Sequence, residues 1–265
     1  MKIAPVLALL CVSLAAQPVE VADTVVISFP AEHLLLVSAE SPAGRLVFRP
    51  STDSSIHVTT IRSFRGDSEE EARAWLPAID ARTEVYGGTA LALQAWLDEL
   101  PGAEASFEVL VPPGRQVIGL LDSGSVEVED IEGFVNLRVG SGTVSARKTR
   151  GGLDIDCGSG EVAARACRGT VELKVGTGSL TCTVAALEPG NRVELTGETG
   201  PALLYLPAGG PADLEVSTGA GGIEIEDLAP DYETREPTLV RARLGAGGVP
   251  VTVRVGAGTI RVVGR

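Results

Sequence analysis

Hydrophobic and polar residues alternate along most of this chain, and in the middle of the chain the alternation repeats every 18 residues. Each repeat holds two apolar sets. In the second repeat Val144 and Ala146 form one set, and Leu153, Ile155 and Cys157 form the other. Alternation with a period of two is typical of a β-strand with one buried face, so each repeat predicts two strands. The repeats span 122–139, 140–157 and 158–175.

Glycines separate the strands and recur in two columns. The first column is Gly124, Gly142, Gly160 and Gly178, and the second, nine residues out of phase, is Gly133, Gly151 and Gly169. A related corner near the C-terminus contains Gly258. Since glycine reaches positive φ without a Cβ clash, we expect all of these to be structural turn glycines. A strand follows each Gly-x-Gly, whereas phosphate-binding loops lead into a helix, so a phosphate site is excluded.

Self-similarity at a fixed period predicts a stacked architecture. We expect an all-β fold: a single-chain β-solenoid with about 18 residues per coil, two strands per coil and Gly-rich corners. A left-handed hexapeptide helix has the same coil length but needs an aliphatic residue at every sixth position. Arg150 and Asp156 stand six and twelve places after Val144, so that pattern fails.

Charged residues at the predicted outward positions also recur at the 18-residue interval. Arg138, Asp156 and Lys174 form one such column, and Glu129 and Arg147 form another. Stacking would bring opposite charges to about 4.8 Å between neighbouring strands. Exposed pairs of this kind contribute little stability, so we expect them mainly to hold the register of the coils.

The first residues have the order of a secretory signal peptide. Lys2 is followed by an apolar stretch that ends in a small-x-small cleavage site, so we assign residues 1–16 to a signal peptide. Lipidation of Cys11 is an alternative, although Leu10 is large for a lipidation site. No later apolar run reaches the roughly 20 residues of a membrane span. We therefore expect an exported protein in the periplasm, on the cell surface or outside the cell.

Residues 17–121 follow the repeat less closely and are predicted to form irregular early coils, with a separate small β-subdomain as the alternative. Within them, 67–77 predicts a short helix, because Ser68 and Glu71 have the spacing of a capping box. Residues 122–265 are assigned to the regular coils, and 229–240 to a loop that bulges from one of them.

The chain is acidic, with a formal net charge of −13, which disfavours nucleic acid and anionic lipid as partners. Beyond the signal peptide it has three cysteines, Cys157, Cys167 and Cys182. Cys157 and Cys182 lie in inward columns and are expected to be buried structural thiols, whereas Cys167 lies near a corner. No four residues have the spacing of zinc ligands, so we predict neither a metal nor another cofactor.

The segment FEVLVPPG at 107–114, followed by SGSVEVEDIEGFVNLRVGSGTVSA at 123–146, resembles the bacterial putative-adhesin family. The resemblance covers roughly residues 25–263 and is strongest over 106–185. It implies an exported β-solenoid domain with a surface or adhesion role, and it brings no catalytic residues to this chain.

Three functional hypotheses follow. The first is a non-catalytic cell-envelope scaffold or binding module whose partner is an envelope glycan or another surface protein. The second is a carbohydrate-active β-helix enzyme that uses an acidic cluster such as Asp154, Asp156 and Glu172. The third is a self-assembling envelope protein, joined end to end through a C-terminal coil that has no polar cap.

Overall fold

A computed structural model describes residues 18–97 and 100–265, and within these ranges the protein is all-β with one short α-helix. The predicted signal peptide at 1–16 lies outside the described residues. The strands are β1 Val19–Pro30, β2 Leu36–Pro50, β3 Ser55–Gly66, β4 Asp80–Tyr86, β5 Ala90–Trp96, β6 Ala103–Val111, β7 Gln116–Glu129, β8 Val135–Arg147, β9 Leu153–Cys167, β10 Val171–Val184, β11 Val193–Thr199, β12 Ala202–Leu206, β13 Ala212–Ala220, β14 Ile223–Glu226, β15 Pro230–Glu236, β16 Leu239–Leu244, β17 Pro250–Ala257 and β18 Ile260–Gly264.

The long strands β2 and β7 to β10 each cross a glycine corner and contribute to two walls. The first wall contains residues 117–121 of β7 and the segments of other strands that pair with them, directly or through a neighbouring strand. The second wall contains residues 124–129 of β7 and the segments that pair with them in the same way. Along each strand buried and exposed side chains alternate, and the buried ones belong to one continuous hydrophobic cluster. The core therefore lies between the walls.

The predicted 18-residue register is present in the parallel pairs that join β7, β8, β9 and β10. In the first wall Val117, Val135, Leu153 and Val171 are successive partners. Because equal numbers of residues separate the partners, every apolar position stacks on another apolar position and every outward position on another outward one. This is the condition under which a repeated sequence specifies its own register.

The order of the strands departs from chain order at the C-terminal end. Strands β17 and β18 pair in parallel with β11 and β12 on one side, and with β13 and β14 on the other. The final segment of the chain is thus inserted between two earlier coils. Consequently the prediction that the last coil is an uncovered end for self-association is wrong, because both sides of β17 are already hydrogen-bonded.

The same interruption occurs at the N-terminal end. Strand β2 pairs with β7 on one side, and on the other side with β5 in the first wall and β6 in the second. Strand β3 then pairs antiparallel with β6, and β1 with β3. Strands β4 and β5 form an antiparallel hairpin whose turn contains Gly87 and Gly88, both at positive φ. The predicted boundary at 121/122 falls inside β7, and the division into two regions stays a prediction.

Residues 229–240 do not form the predicted loop. They contribute β15 and the start of β16, which form an antiparallel hairpin that pairs with β13. Val240, Ala242 and Leu244 are buried on the inner face of β16, whereas β15 is rich in charge. A charged sequence is typical of loops and also of strands at the edge of a sheet, so charge alone does not distinguish the two.

The predicted short helix is confirmed as α1, Glu69–Trp75, and a turn of 3-10 helix follows at Leu76–Ala78. The Ser68 side chain accepts a hydrogen bond from the Glu71 backbone N–H, as a capping box requires. The Glu71 carboxylate accepts from the backbone N–H of Asp67 rather than from that of Ser68. Ala72 and Leu76 are buried, so the helix packs its apolar side on the core beside β1 and β3.

Candidate binding face on the first wall

The first glycine column lies at the corners where strands pass from one wall to the other. Gly124, Gly142, Gly160 and Gly178 have φ between +133° and +140°, and Gly258 has +158°. A Cβ on Gly160 would lie 1.8 Å from the carbonyl oxygen of Gly142 in the next coil. Gly44, Gly200 and Gly221 complete this column, although their coils stand outside the regular 18-residue repeat.

The second column lies in the connections that lead back to the first wall, and it includes a correction. Gly169 has a φ of +85°, as predicted, but Gly133 and Gly151 do not lie at positive φ. Their requirement is steric, because a Cβ on Gly133 would lie 1.6 Å from the carbonyl oxygen of Arg115, and one on Gly151 would lie 2.5 Å from the carbonyl carbon of Gly133. Only glycine allows the connections to stack so closely.

These corners hold the outward side chains of the first wall in register. Two outward positions per strand generate two columns of polar residues, which we call the ladder face. Along the first column Asn136, Asp154, Glu172 and Glu194 are successive partners, and along the second Arg138, Asp156, Lys174, Thr196 and Arg254 are. The ladder face is therefore a flat polar array whose spacing is set by the sheet.

The acidic cluster considered for catalysis lies on the ladder face, and each of its members has a cationic partner. Arg138 donates to both carboxylate oxygens of Asp154, at 3.1 and 2.7 Å. The Lys174 Nζ lies 3.6 Å from Asp156, and Arg192 donates to Glu172. Arg138 and Asp156 are partners in register, as predicted, but the guanidinium of Arg138 reaches diagonally to Asp154. Hydrogen bonding to Asp154 is also the main cause of the raised pKa of Arg138.

The array continues towards the C-terminal end around Arg254. Its guanidinium lies 3.9 Å from Glu194 on one side and 3.0 Å from Glu215 on the other. Glu215 also accepts from Arg241 at 3.1 Å. Hydrogen bonds from Arg254 and Arg241 lower the pKa of Glu215, so this carboxylate is held in its ionised form.

A shallow depression of about 180 Å³ marks the middle of the ladder face. It is lined by Asp154, Ile155, Asp156, Glu172, Leu173, Lys174, Glu194 and Thr196. The cations described above balance the carboxylates around it, so the depression presents alternating hydrogen-bond donors and acceptors to solvent. Such a surface can bind an extended polar molecule through many weak contacts.

The outward face of the second wall has a smaller network of the same kind. Glu127 accepts from Arg45 and Arg49, and hydrogen bonding to Arg45 is the main cause of its lowered pKa. Glu129 and Arg147 are partners in register, as expected. The Glu129 carboxylate lies 4.0 Å from Arg49, on the other neighbouring strand.

The three cysteines within the described residues, Cys157, Cys167 and Cys182, are buried free thiols in the core. Burial raises the pKa of each thiol, most strongly that of Cys182. Neutral thiols packed among aliphatic side chains act as small hydrophobic residues. The structural role expected for Cys157 and Cys182 therefore extends to Cys167.

The lowered pKa values of Glu127 and Glu215 predict the sign of the pH dependence. A carboxylate whose pKa is lower in the folded state stabilises that state above its unfolded pKa, about 4.3, and the contribution is lost as the pH falls through the folded value. The side chains are 31% and 35% exposed, so solvent screens both interactions and we expect a small effect. In urea unfolding the wild type should lose more stability between about pH 6 and pH 3 than the double variant Glu127→Gln/Glu215→Gln. Glu188→Gln, in an exposed turn, is the control and should lose as much stability as the wild type. An equal loss of stability in the wild type and in the double variant would contradict the lowered pKa values of Glu127 and Glu215.

Among residues 18–97 and 100–265, no cluster of three or more histidine, cysteine, aspartate or glutamate side chains has the arrangement of a metal site. No helix in the same ranges is long and apolar enough to cross a membrane.

The chain matches no protein-family model and no curated protein. Among solved structures it is similar to one described as a putative cell adhesion protein from Clostridium sporogenes ATCC 15579, with 15% identity, a TM-score of 0.38 and coverage of 94% of this chain and 100% of that one. A putative adhesin from Bacteroides fragilis NCTC 9343 is 16% identical, with a TM-score of 0.36 and coverage of 91% and 97%. A structure described as a putative lipid binding protein from Parabacteroides distasonis ATCC 8503 is 12% identical, with a TM-score of 0.34 and coverage of 91% and 96%. At TM-scores this low, these similarities carry no argument about this chain.

Proposed function

We propose that this chain is a non-catalytic, adhesin-like scaffold of the bacterial cell envelope, built as a β-solenoid, and that the ladder face is its binding surface. The proposal rests on one observation: outward polar side chains on successive strands lie in register and form a charge-balanced array. The array is rigid because the buried core and the glycine corners fix the strands that carry it. A rigid surface loses little conformational entropy when it binds a ligand.

The ligand class that suits such a face is an extended polar polymer, and we propose an envelope glycan. Hydroxyl groups along a glycan can accept from guanidinium groups and donate to carboxylates, so a repeating chain can follow the strand spacing of about 4.8 Å. A flat face of this kind fits a long ligand better than a small molecule, which needs a deep pocket. Export of the protein, inferred from the N-terminal sequence, belongs to the same proposal.

The ion pairs also support a structural and binding role for the acidic cluster rather than catalysis. In glycoside hydrolysis one carboxyl group must hold a proton while a second one acts as nucleophile or base. Asp154 accepts two hydrogen bonds from Arg138, and Glu172 accepts one from Arg192. These guanidinium donors occupy carboxylate oxygens that a proton donor or a nucleophile would need free.

The experiment is a binding screen of the purified chain against glycans and envelope polymers, followed by titration of each hit. We expect saturable binding to one glycan class and recovery of that glycan unchanged after incubation. Lys174→Ala should weaken binding about tenfold, as expected for the loss of one charge-assisted hydrogen bond. Thr181→Ala, an outward substitution on the second wall, is the matched control and should bind like the wild type. Cleavage of the glycan, or equal weakening by both variants, would contradict the proposal.

A further inference from the structure

Four strands end the two walls, and among the described residues each of them pairs on one side alone: β1, β4, β14 and β15. Three of these edges are protected from further pairing by charge or by short length. Strand β14 has four residues and reads IEIE, β4 reads DARTEVY, and β15 reads PDYETRE. Charged side chains on an edge strand disfavour the addition of another strand.

Strand β1 lacks this protection. It is 12 residues long, and its segment 24–29 reads TVVISF, with no charge and no proline. Val25, Val26 and Ile27 are 45%, 66% and 40% exposed, although alternate side chains of the strand point to opposite faces. A long edge that is apolar on both faces is a ready template for strand addition. The structure thus has one unprotected edge among four.

We propose that β1 pairs antiparallel with β1 of a second copy of this chain, with Val26 on the two-fold axis. In this register Val26 faces Val26 of the second copy, Val25 faces Ile27, and Thr24 faces Ser28. Cross-strand pairs of β-branched residues stabilise an antiparallel sheet. The second wall then continues from one copy into the other, and the contact closes because it is isologous.

The distribution of charge favours this symmetric contact between two β1 strands over a head-to-tail contact of β1 with the opposite end of another copy. The acidic residues of β1 lie near its start, where Glu20 pairs with Arg65 and Asp23 with Arg62, so that none lies within 24–29. In the proposed register Asp23 faces Phe29 of the second copy, and within the paired segment 22–30 no two carboxylates face each other. The edges at the other end of the stack carry Glu224 and Glu226 in β14 and four charged residues in β15. Pairing of β1 with those edges would place their charged side chains against the uncharged segment 24–29, where no complementary charge meets them.

The test is the mass of the full-length chain in solution, measured by light scattering over a range of concentrations. We expect twice the mass of one chain at high concentration. Val26→Lys should reduce the mass to that of one chain, because the side chain points outward and two lysines would meet on the axis. Val26→Thr, which keeps the β-branched shape, should remain dimeric. A wild-type chain that stays monomeric at its highest soluble concentration would overturn the proposal.

A cross-link tests the geometry independently of the lysine variant. In a Cys11→Ser background, Val26→Cys should form a disulfide-linked dimer on mild oxidation, because directly opposed positions lie within disulfide reach. Tyr232→Cys, on the exposed edge strand β15, is the matched control and should not form a linked dimer. The native cysteines beyond residue 11 are buried and do not compete. A dimer that links through residue 232 and not through residue 26 would place the contact elsewhere and overturn the proposal.

Discussion

Deletion of residues 250–265 should unfold the C-terminal part of the stack rather than fray one end of it. These residues form β17 and β18, which separate β11 and β12 from β13 and β14. Both strands contribute apolar side chains to a buried set in the core. At roughly 1.5–3 kcal/mol for each large side chain removed from water, loss of this set should lower the free energy of unfolding by about 10 kcal/mol. That is comparable to the whole stability of a typical domain, about 5–15 kcal/mol. The buried set is Val251, Val253, Val255, Ile260 and Val262.

The measurement is urea unfolding combined with amide hydrogen exchange on the full and shortened chains. We expect the shortened chain to lose protection in β11 to β16 and to retain it in β7 to β9. Two point mutations provide a comparison. Val253→Ala in the inserted coil should lower the free energy of unfolding by about 2–4 kcal/mol. Ile225→Ala in the terminal strand β14 should lower it clearly less, because Ile225 is only partly buried. A shortened chain that keeps the full protection pattern would show that the C-terminal coil is not internal.

Replacement of Gly160 by alanine should also be strongly destabilising. The residue has a φ of +133°, which L side chains rarely adopt, and the new Cβ would lie 1.8 Å from the carbonyl oxygen of Gly142. Backbone strain of about 1–3 kcal/mol and a steric clash of similar size act together, so we expect a loss of roughly 3 kcal/mol or more. The clash is with backbone, so the neighbouring coil must move to relieve it.

Gly209→Ala is the matched control for this substitution. Gly209 lies in a surface turn, has no positive φ, and a Cβ built on it meets no atom within 4 Å. Its replacement should change the free energy of unfolding by less than about 0.5 kcal/mol. If both variants unfold at the same urea concentration as the wild type, the glycine column is not required for the stacking of the coils.

The interior of the stack was predictable because neighbouring coils there have equal length. Equal length places Val135 on Val117 and Leu153 on Val135, so alternation and register can be read together. The glycine corners follow from the same repeat. The requirement at Gly133 was misjudged, since a close approach to the Arg115 carbonyl leaves no trace in the sequence of its own coil.

The ends of the stack were not predictable, because parallel coils with the same pattern are interchangeable neighbours. Residues 193–206, 212–226 and 250–264 each combine two strands with a glycine corner, and each could stack on any other. Between β14 and β17 the chain forms the hairpin β15–β16, and between β2 and β7 it forms the hairpin β4–β5. After each hairpin the chain returns to pair with an earlier strand, so the order of strands in the sheet departs from the order in the sequence. On the ladder face, the column of Arg138 was predictable from spacing, but its diagonal bond to Asp154 depends on side-chain reach.

Disulfide mapping of the inserted coil tests the architecture most directly, since both the ladder face and the terminal edges depend on it. Thr196 and Arg254 are partners in register, and Arg254 and Ser217 are partners on its other side. Positions on adjacent strands lie about 4.8 Å apart and positions two strands apart about 9.6 Å, beyond the roughly 7 Å limit for a disulfide. In a Cys11→Ser background, we predict that the pair Thr196→Cys/Arg254→Cys forms an internal disulfide and that Thr196→Cys/Ser217→Cys does not. A disulfide between residues 196 and 217 would mean that the coils stack in chain order, and it would contradict the account.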